Sequence, residues 1–244
     1  MRSAIKIICL FVVLLTPAYV SAAWSVVDHT CASVSDGGDG STPLNSGSIN
    51  TTGASLLIAY SGVYIGTSNP AFSDSKSNTW TGLTNIADSQ NSRLWYAYNA
   101  TVGSGHTFTI SGDSDLFNQA FCVIALSGAL TGNPFDIQNT NSNSLQSTIA
   151  PGSITPSQDN EIIVTGFASG AQNTTPAIGS SFTLADSTIG SGHGVIGIAY
   201  LTQMSSSAVN PTWTGEPANN NQASIASFKA ATTSRRQVAP VIFR

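Results

Sequence analysis

Short runs of apolar, β-branched and aromatic residues recur along the chain, separated by Gly, Asn, Asp and Ser. In the first half these runs begin with SLLIAYSG from Ser55 and end with AFCVIALS from Ala120. Runs of about four to eight residues between turn-forming residues are typical of β-strands. No segment has the spacing of an amphipathic helix, so the pattern predicts an all-β protein.

Two of these runs also predict how their strands are buried. In HTFTIS from His106, Phe108 and Ile110 alternate with polar residues, so we expect these two side chains to point inward. The run AFCVIALS is apolar at both alternating sets of positions. We therefore expect it to form a central strand that is buried on both faces.

The second half of the chain repeats the layout, from EIIVTGFASG at Glu161 to ASIASFKA at Ala223. Three short matches keep the same order at separations of about 105 residues: Gly-Ser-Ile at Gly47 and Gly152, Thr-x-Thr at Thr107 and Thr212, and Asn-Gln-Ala at Asn118 and Asn221. We infer an internal duplication, with repeat 1 at 23–130 and repeat 2 at 131–230.

Each predicted strand must bury one face against a second sheet, which favours an antiparallel β-sandwich. Two layouts remain open. In the first, each repeat of about 105 residues forms its own immunoglobulin-like half. In the second, the two repeats interleave in one larger, jelly-roll-like sandwich. The short link between CVIALSG and PFDIQN favours one compact body.

The two ends of the chain differ from its body. Residues 1–22 combine a basic start, an apolar core and the small residues Val20-Ser21-Ala22, which predict a cleaved signal peptide. A membrane anchor is the alternative, but the apolar run is shorter than the roughly 20 residues that span a bilayer. We expect a secreted or cell-surface protein without a membrane span. Residues 231–244 form a basic, apolar tail that either docks on an acidic surface or frays.

Charged residues are scarce, at 8% of the chain. Between Ala23 and Thr233 the basic residues Lys76, Arg93 and Lys229 oppose twelve acidic residues. Such a body has no basic face to neutralise phosphates, so we do not expect nucleic acid as a partner.

The predicted mature chain has two cysteines, Cys31 in the first strand region of repeat 1 and Cys122 in the last. An even pair in an exported protein commonly forms a disulfide, and the first and last strands of a sandwich half are often neighbours. We predict a Cys31–Cys122 disulfide. Two separately buried thiols are the alternative.

The segments DSKSNTW (Asp74–Trp80) and LWYAYNATVGSGHTFTIS (Leu94–Ser111) resemble a pattern of uncharacterised secreted β-sandwich proteins from bacteria and some phage. In that pattern an Asp-Ser-x-Gly-Asn hairpin precedes a Tyr-Ala-x-Asn strand and a Thr-x-Thr strand. The resemblance covers chiefly 54–128 and implies the fold rather than an activity. Ser77 stands where the pattern has Gly, and a two-residue turn with positive φ suits Gly better.

Candidate metal ligands are few. Asp36 and Asp39 in DGGDGST are weak candidates for Ca²⁺, since flexible glycines let oxygen ligands fold around the ion. A solvated turn is the alternative. His106 and His193 both follow Gly-Ser-Gly, but their spacing does not match the repeat, and neither cysteine lies at zinc-ligand spacing from them. We expect both histidines to be turn residues at strand entrances, and we expect no cofactor.

Catalytic motifs are absent from the sequence. It has no Gly-x-Ser-x-Gly elbow, and nothing in it brings two of the carboxylates Glu161, Asp186 and Glu216 together across a sugar. We therefore expect no enzyme.

Other candidate positions concern sugars. Tyr64 and Trp80 are weak candidates for a saccharide-binding surface, with core packing as the alternative. Asn50, Asn99 and Asn173 open weak Asn-x-Thr glycosylation sequons.

These observations favour a non-catalytic structural or adhesive surface protein that acts by self-association or by contact with cell-surface glycans or proteins. Edge strands with few lysines permit lateral pairing. A carbohydrate-binding module is the second expectation, and a secreted glycan hydrolase is the third.

Overall fold

The computed structural model describes residues 19–34, 42–64, 70–88, 90–112, 117–170, 174–179, 181–190 and 194–234. These residues form seventeen β-strands and no helix, and all strand pairs are antiparallel. The predicted fold class, an all-β antiparallel sandwich, is confirmed.

Repeat 1 supplies one large sheet and one small sheet. The large sheet has, in spatial order, β2 (Ser25–Ser33), β10 (Phe117–Ser127), β4 (Leu56–Tyr64), β8 (Gln90–Tyr98) and β6 (Thr81–Gly82), with β7 (Ile86–Ala87) also paired to β8. The small sheet has the order β3 (Leu44–Asn45), β9 (Phe108–Ser111) and β5 (Ala71–Asp74). The small sheet covers the outer face of the large sheet.

Repeat 2 supplies the second large sheet. Its order is β11 (Phe135–Ile149), β16 (Trp213–Phe228), β12 (Glu161–Ser169), β15 (Val195–Gln203) and β14 (Thr183–Ile189), with β13 (Ala177–Ile178) also paired to β16. In both large sheets the first long strand of the repeat lies beside the last, followed by the second and the third. This shared order is what an internal duplication predicts.

Repeat 2 also has an outer layer, built from the ends of its longest strands. Strand β11 has a positive φ at Leu145, and beyond it Ile149 pairs with Trp213 at the start of β16. Leu44 pairs with Ile110 in the same way in repeat 1. Each repeat therefore forms its own two-layer half. The interleaved layout is not adopted, because each large sheet takes its strands from one repeat.

The bridges outside the named strands show which short sequence matches are equivalent in space. Ile49 of the first Gly-Ser-Ile bridges His106, and Ile154 of the second bridges Val209. The two Gly-Ser-Ile segments therefore occupy equivalent places in the two repeats. The pairing of Ile149 with Trp213 aligns Trp213 with Ile110, so the two Thr-x-Thr segments are two residues out of register.

The Asn-Gln-Ala match is also displaced. Leu126 lies opposite Leu56, and Phe228 lies opposite Ile162; all four side chains point into the central core. Aligning Leu126 with Phe228 places Asn118 on residue 220 rather than on Asn221. A shift of one residue reverses the face of every side chain in a strand, so the letter match is not the structural equivalence.

The two large sheets face each other across a central core. Strand β4 directs Leu56, Ile58 and Tyr60 into it and turns the alternate residues Leu57 and Ala59 to the outer core of repeat 1. Both alternating sets are apolar because both faces of the strand are buried. The same holds for β10, which lies between β2 and β4, so the prediction of a central strand is confirmed.

Each half has an outer core on the far side of its large sheet. In repeat 1, Phe108 and Ile110 of the small sheet are fully buried against Phe121 and Val123, as the alternation in HTFTIS predicts. In repeat 2, the outer core is centred on Trp213 and Phe167, whose rings stack with centroids 5.5 Å apart.

A tight contact between the halves joins Tyr60 to Gly166. A Cβ atom added to Gly166 would lie 2.1 Å from Cγ of Tyr60, so the ring rests directly on the backbone of β12. The Tyr60 hydroxyl donates to Oγ of Ser92 at 2.9 Å and lies 3.3 Å from the carbonyl of Gln222. A large buried ring with a bonded hydroxyl gives this interface one well-defined geometry.

Cys31 and Cys122 form a disulfide, which confirms the predicted pairing. The two residues lie directly opposite each other where β2 pairs with β10, with Cα atoms 4.0 Å apart. Disulfides form and persist in oxidising compartments, so this bond suggests an oxidising, extracytoplasmic environment. None of the described segments forms a helix long and apolar enough to span a membrane.

The chain ends are only partly described. Strand β1 (Tyr19–Ser21) pairs with β17 (Thr232–Ser234), which joins the last part of the predicted signal peptide to the first part of the predicted tail. Residues 1–18 and 235–244, which carry the rest of these two predictions, lie outside the described residues.

We expect Gly166→Ala to lower the free energy of unfolding by about 1–3 kcal/mol, because the new methyl group overlaps the fully buried Tyr60 ring. Urea denaturation measures this change. Gly47→Ala is the matched control, since no atom lies within 4 Å of its added Cβ. Similar losses in the two variants would contradict a tight contact at Gly166.

We expect the double variant Cys31→Ser/Cys122→Ser to lose about 2–5 kcal/mol of stability, because the disulfide closes a loop with a sequence separation of 91 residues. Denaturation in urea, with and without reductant, measures the loss. Reductant should destabilise the wild type and leave the double variant unchanged. An equal effect on both proteins would show that the bond contributes nothing.

Candidate functional site

A buried polar cluster in repeat 1 joins Thr51, His106 and Asp74, which come from three separate segments. Thr51 precedes β4, His106 precedes β9, and Asp74 ends β5. Oγ1 of Thr51 lies 2.9 Å from Nδ1 of His106. Nε2 of His106 lies 3.3 Å from Oδ1 of Asp74, which is an ion-pair distance without hydrogen-bond alignment. The His106 ring also stacks on Phe108, with centroids 4.4 Å apart.

Asp74 closes the turn that follows β5. Its Oδ1 accepts hydrogen bonds from the backbone N–H groups of Lys76 and Asn78, and its Oδ2 accepts one from Nε1 of Trp80 at 2.7 Å. Ser77 takes a φ of 58° within this turn, the conformation for which Gly is better suited. Strand β5 pairs with β9 rather than with β6, so the segment is a carboxylate-capped turn and not a hairpin between neighbours.

The environment determines the charges in the cluster. Burial alone would raise the pKa of Asp74, but the hydrogen bonds from Trp80, Lys76 and Asn78 outweigh it and lower the pKa. Burial lowers the pKa of His106, and the Asp74 carboxylate opposes this shift only in part. Near neutral pH, an ionised Asp74 therefore faces a neutral imidazole.

The order hydroxyl, imidazole, carboxylate resembles that of a catalytic triad. A nucleophile must reach its substrate, however, and Thr51 and His106 are fully buried. Thr51 is also engaged by Gly103, whose N–H donates to its Oγ1 at 3.0 Å. The cluster therefore fastens three loops of repeat 1 together.

The three histidines have different surroundings. His106 stands at the entrance of β9, as predicted, but its side chain is buried rather than placed in an open turn. His29 lies on the surface, where Nδ1 is 3.0 Å from Oδ2 of Asp186 and joins β2 to β14. His193, Asp36 and Asp39 lie outside the described residues. Within the described part of the chain, no three His, Cys, Asp or Glu residues come close enough to hold a metal ion.

Of the two aromatic residues predicted as weak candidates for sugar binding, the structure describes the side chain of Trp80. Trp80 is half-buried, its indole N–H bonds to Asp74, and its ring packs edge-on against Phe72 and Phe108. Tyr64 ends β4, and its side chain lies outside the described residues.

Two of the three predicted sequons can be located. Asn50 is exposed, and its Oδ1 accepts bonds from the N–H and the hydroxyl of Thr52. Asn99 is exposed, with a φ of 51°, and its amide donates to the carbonyl of Thr131. Asn173 lies outside the described residues. A glycan on either described asparagine stays a prediction.

Repeat 2 contains an ion pair that the sequence does not predict. Nζ of Lys229, just after β16, lies 2.7 Å from Oδ1 of Asp136 in β11. Burial would raise the pKa of Asp136, but the hydrogen bonds from Lys229 and Ser157 outweigh it and lower the pKa. The neighbouring Glu161 is fully buried, and burial raises its pKa. Lys229 and Asp136 are far apart in the sequence, so no local pattern of residues predicts that they pair.

A groove beside the Asp74 turn is a second feature that the sequence does not predict. It has a volume of about 410 Å³ and is lined by Ser77, Asn78, Thr79, Thr81, Tyr98 and Asn99. None of these side chains is charged. Tyr98 is 38% exposed and is the one exposed aromatic among the side chains that the structure describes. The groove is therefore open, polar and uncharged.

Comparison with protein-family models, with curated proteins and with solved structures finds no match to this chain.

We expect the buried His106 to make the protein less stable in mild acid. Its pKa in the folded state lies below the ordinary 6.5, so below about pH 6.5 the unfolded state binds the proton more readily. Stability is then fully present above this pH and falls as the pH drops towards the folded pKa. The contribution of Asp74 is lost only at lower pH, below about 4.

Urea denaturation between about pH 7 and pH 5 tests this expectation on the wild type and on His106→Gln. The variant should be less stable at pH 7 and should lose less stability on acidification. Parallel pH profiles would show that His106 does not carry the effect.

Proposed function

We propose that this protein is a non-catalytic, extracellular structural or adhesive surface protein that acts through the surfaces of its β-sandwich. The observation that carries this proposal is the edge strand β11. It spans fifteen residues at the end of the second large sheet, and Asp136 is its one charged residue. No described strand pairs with its outer side.

The other edges of the large sheets are less suited to pairing. Strands β2 and β14 carry Asp28, His29 and Asp186, and the His29–Asp186 contact holds their side chains across the two sheets. Strand β6 has two residues. Charged side chains and short length are the usual protection of edges against pairing.

Strand β11 is neither short nor protected by a free charge, although register shifts interrupt its pairing with β16. Asp136 is held by Lys229 and Ser157, so the strand presents no free charge. Ile137 is 38% exposed and Leu145 is 76% exposed, which places two apolar side chains on the same edge strand. An uncharged edge is compatible with a second copy of itself, and antiparallel pairing of two β11 strands would extend the sheet across a dimer.

The buried position of the Thr51–His106–Asp74 cluster supports a non-catalytic role. A triad-like order without access to substrate stabilises loops instead of reacting. The expectation of a glycan hydrolase has no comparable support among the described residues.

Light scattering of the purified mature chain tests self-association through β11. We expect the wild type to associate, and Ile137→Lys/Leu145→Lys to raise the dissociation constant at least about tenfold, because the added charges repel across the paired edges. Met204→Lys is the matched control, since Met204 is 72% exposed outside this strand. A strictly monomeric wild type, or equal weakening by the control, would contradict the proposal.

Carbohydrate binding is the second candidate function, and the groove beside Tyr98 favours it. The described residues offer a single exposed ring rather than a row of aromatic side chains, so this candidate depends on one small site. A glycan array separates the two candidates: sugar selectivity from a strict monomer would favour binding over structural assembly.

A further inference from the structure

The groove beside Tyr98 lies at one end of the first large sheet. Tyr98 ends β8, Asn99 follows it, and Thr81 begins the short strand β6, which pairs with β8 through Tyr96. The Asp74 turn also lines the groove, through Ser77 and Asn78. The buried cluster that fastens this turn therefore also positions part of the groove.

Tyr98, the aromatic residue of the lining, is held by stacking. The Tyr98 ring stacks on Tyr96 with centroids 6.2 Å apart and planes at 22°. Tyr96 in turn stacks on Phe135 at 5.8 Å, and its hydroxyl donates to Oδ1 of Asn133. Tyr98 is thus the exposed end of a stack that reaches into the central core, so little side-chain entropy remains to be lost on binding.

The polar walls of the groove are also held in place. The Asn78 amide donates to the carbonyl of Thr101 at 3.0 Å, and its oxygen accepts from the Thr101 N–H at 2.6 Å. Asn99 donates to the carbonyl of Thr131. The two asparagines of the lining are therefore held in place before any ligand arrives, which favours a preorganised site.

The chemistry of the lining selects a ligand class. Ser77, Thr79 and Thr81 are exposed hydroxyl residues, and each hydroxyl can both donate and accept a hydrogen bond. The lining has no cation to attract an anion and no carboxylate to hold a metal ion. An apolar ring face beside neutral hydroxyl groups matches a sugar, which has C–H groups on one face and hydroxyls around its rim.

We propose that this groove binds one sugar unit of a neutral saccharide, with the apolar face of the sugar on the Tyr98 ring and its hydroxyls bonded to Ser77, Thr79 and Thr81. The inference rests on carbohydrate binding, the second candidate function, and adds its place and its ligand class. A volume of about 410 Å³ lies within the range of small-molecule sites, which is about 300–1,000 Å³.

Calorimetric titration of the whole mature chain with dextran, laminarin and xylan tests the proposal, with dextran sulfate as the charged comparison. We expect at least one neutral polysaccharide to bind. Tyr98→Ala should weaken that binding at least about tenfold, since an aromatic anchor dominates a small site. Tyr98→Phe keeps the ring and should retain most of the affinity. Thr79→Glu adds a charge at an exposed lining position and should also weaken binding.

Met204→Ala is the matched control, because it removes an exposed apolar side chain that does not line the groove. Thermal unfolding of each variant shows whether it keeps the fold, and Tyr98→Phe and Thr79→Glu leave the aromatic stack in place. Binding that survives both Tyr98→Ala and Thr79→Glu would overturn the groove but keep carbohydrate binding. A wild type that binds none of the neutral polysaccharides would overturn both.

Discussion

The contact of Tyr60 with Gly166 is the constraint on which the assembly of the two halves depends. Aligning Leu56 with Ile162 places Tyr60 on Gly166, so the two residues are equivalent positions of the duplication that meet face to face. Two identical large side chains could not occupy these positions, because interiors are close-packed. The repeats therefore had to differ at the point where they touch, with a large residue on one side and none on the other.

Few charged side chains lie between the two sheets that face each other at this contact. Their central core is apolar, the ion pairs His29–Asp186 and Asp136–Lys229 lie at its margins, and the buried His106 cluster belongs to one half alone. The Thr51–His106–Asp74 cluster, whose order resembles that of a catalytic triad, thus holds loops of repeat 1 together. On the outside of the sandwich, the described residues form two distinctive surfaces: the edge strand β11, whose one charge is paired, and the uncharged groove.

The edge strand β11 and the groove belong to two halves with the same strand order. Strand β11 is long because it crosses from the large sheet to the outer layer of repeat 2, where repeat 1 uses the separate strands β2 and β3. The groove belongs to repeat 1, at the turn that Asp74 closes beside the end of β8. The two repeats therefore carry two different surfaces, the edge strand in repeat 2 and the groove in repeat 1.

The sequence by itself determined the all-β class, the inward faces of Phe108 and Ile110, the central position of β10 and the Cys31–Cys122 bond. All of these follow from local alternation and from the position of a strand within its repeat. Tertiary structure alone decided the separate halves, the true register of the repeats, the burial of His106 and the groove at Tyr98. Each of these depends on which distant segments become neighbours, and no local pattern of residues encodes a contact across sheets or a shift of one residue in register.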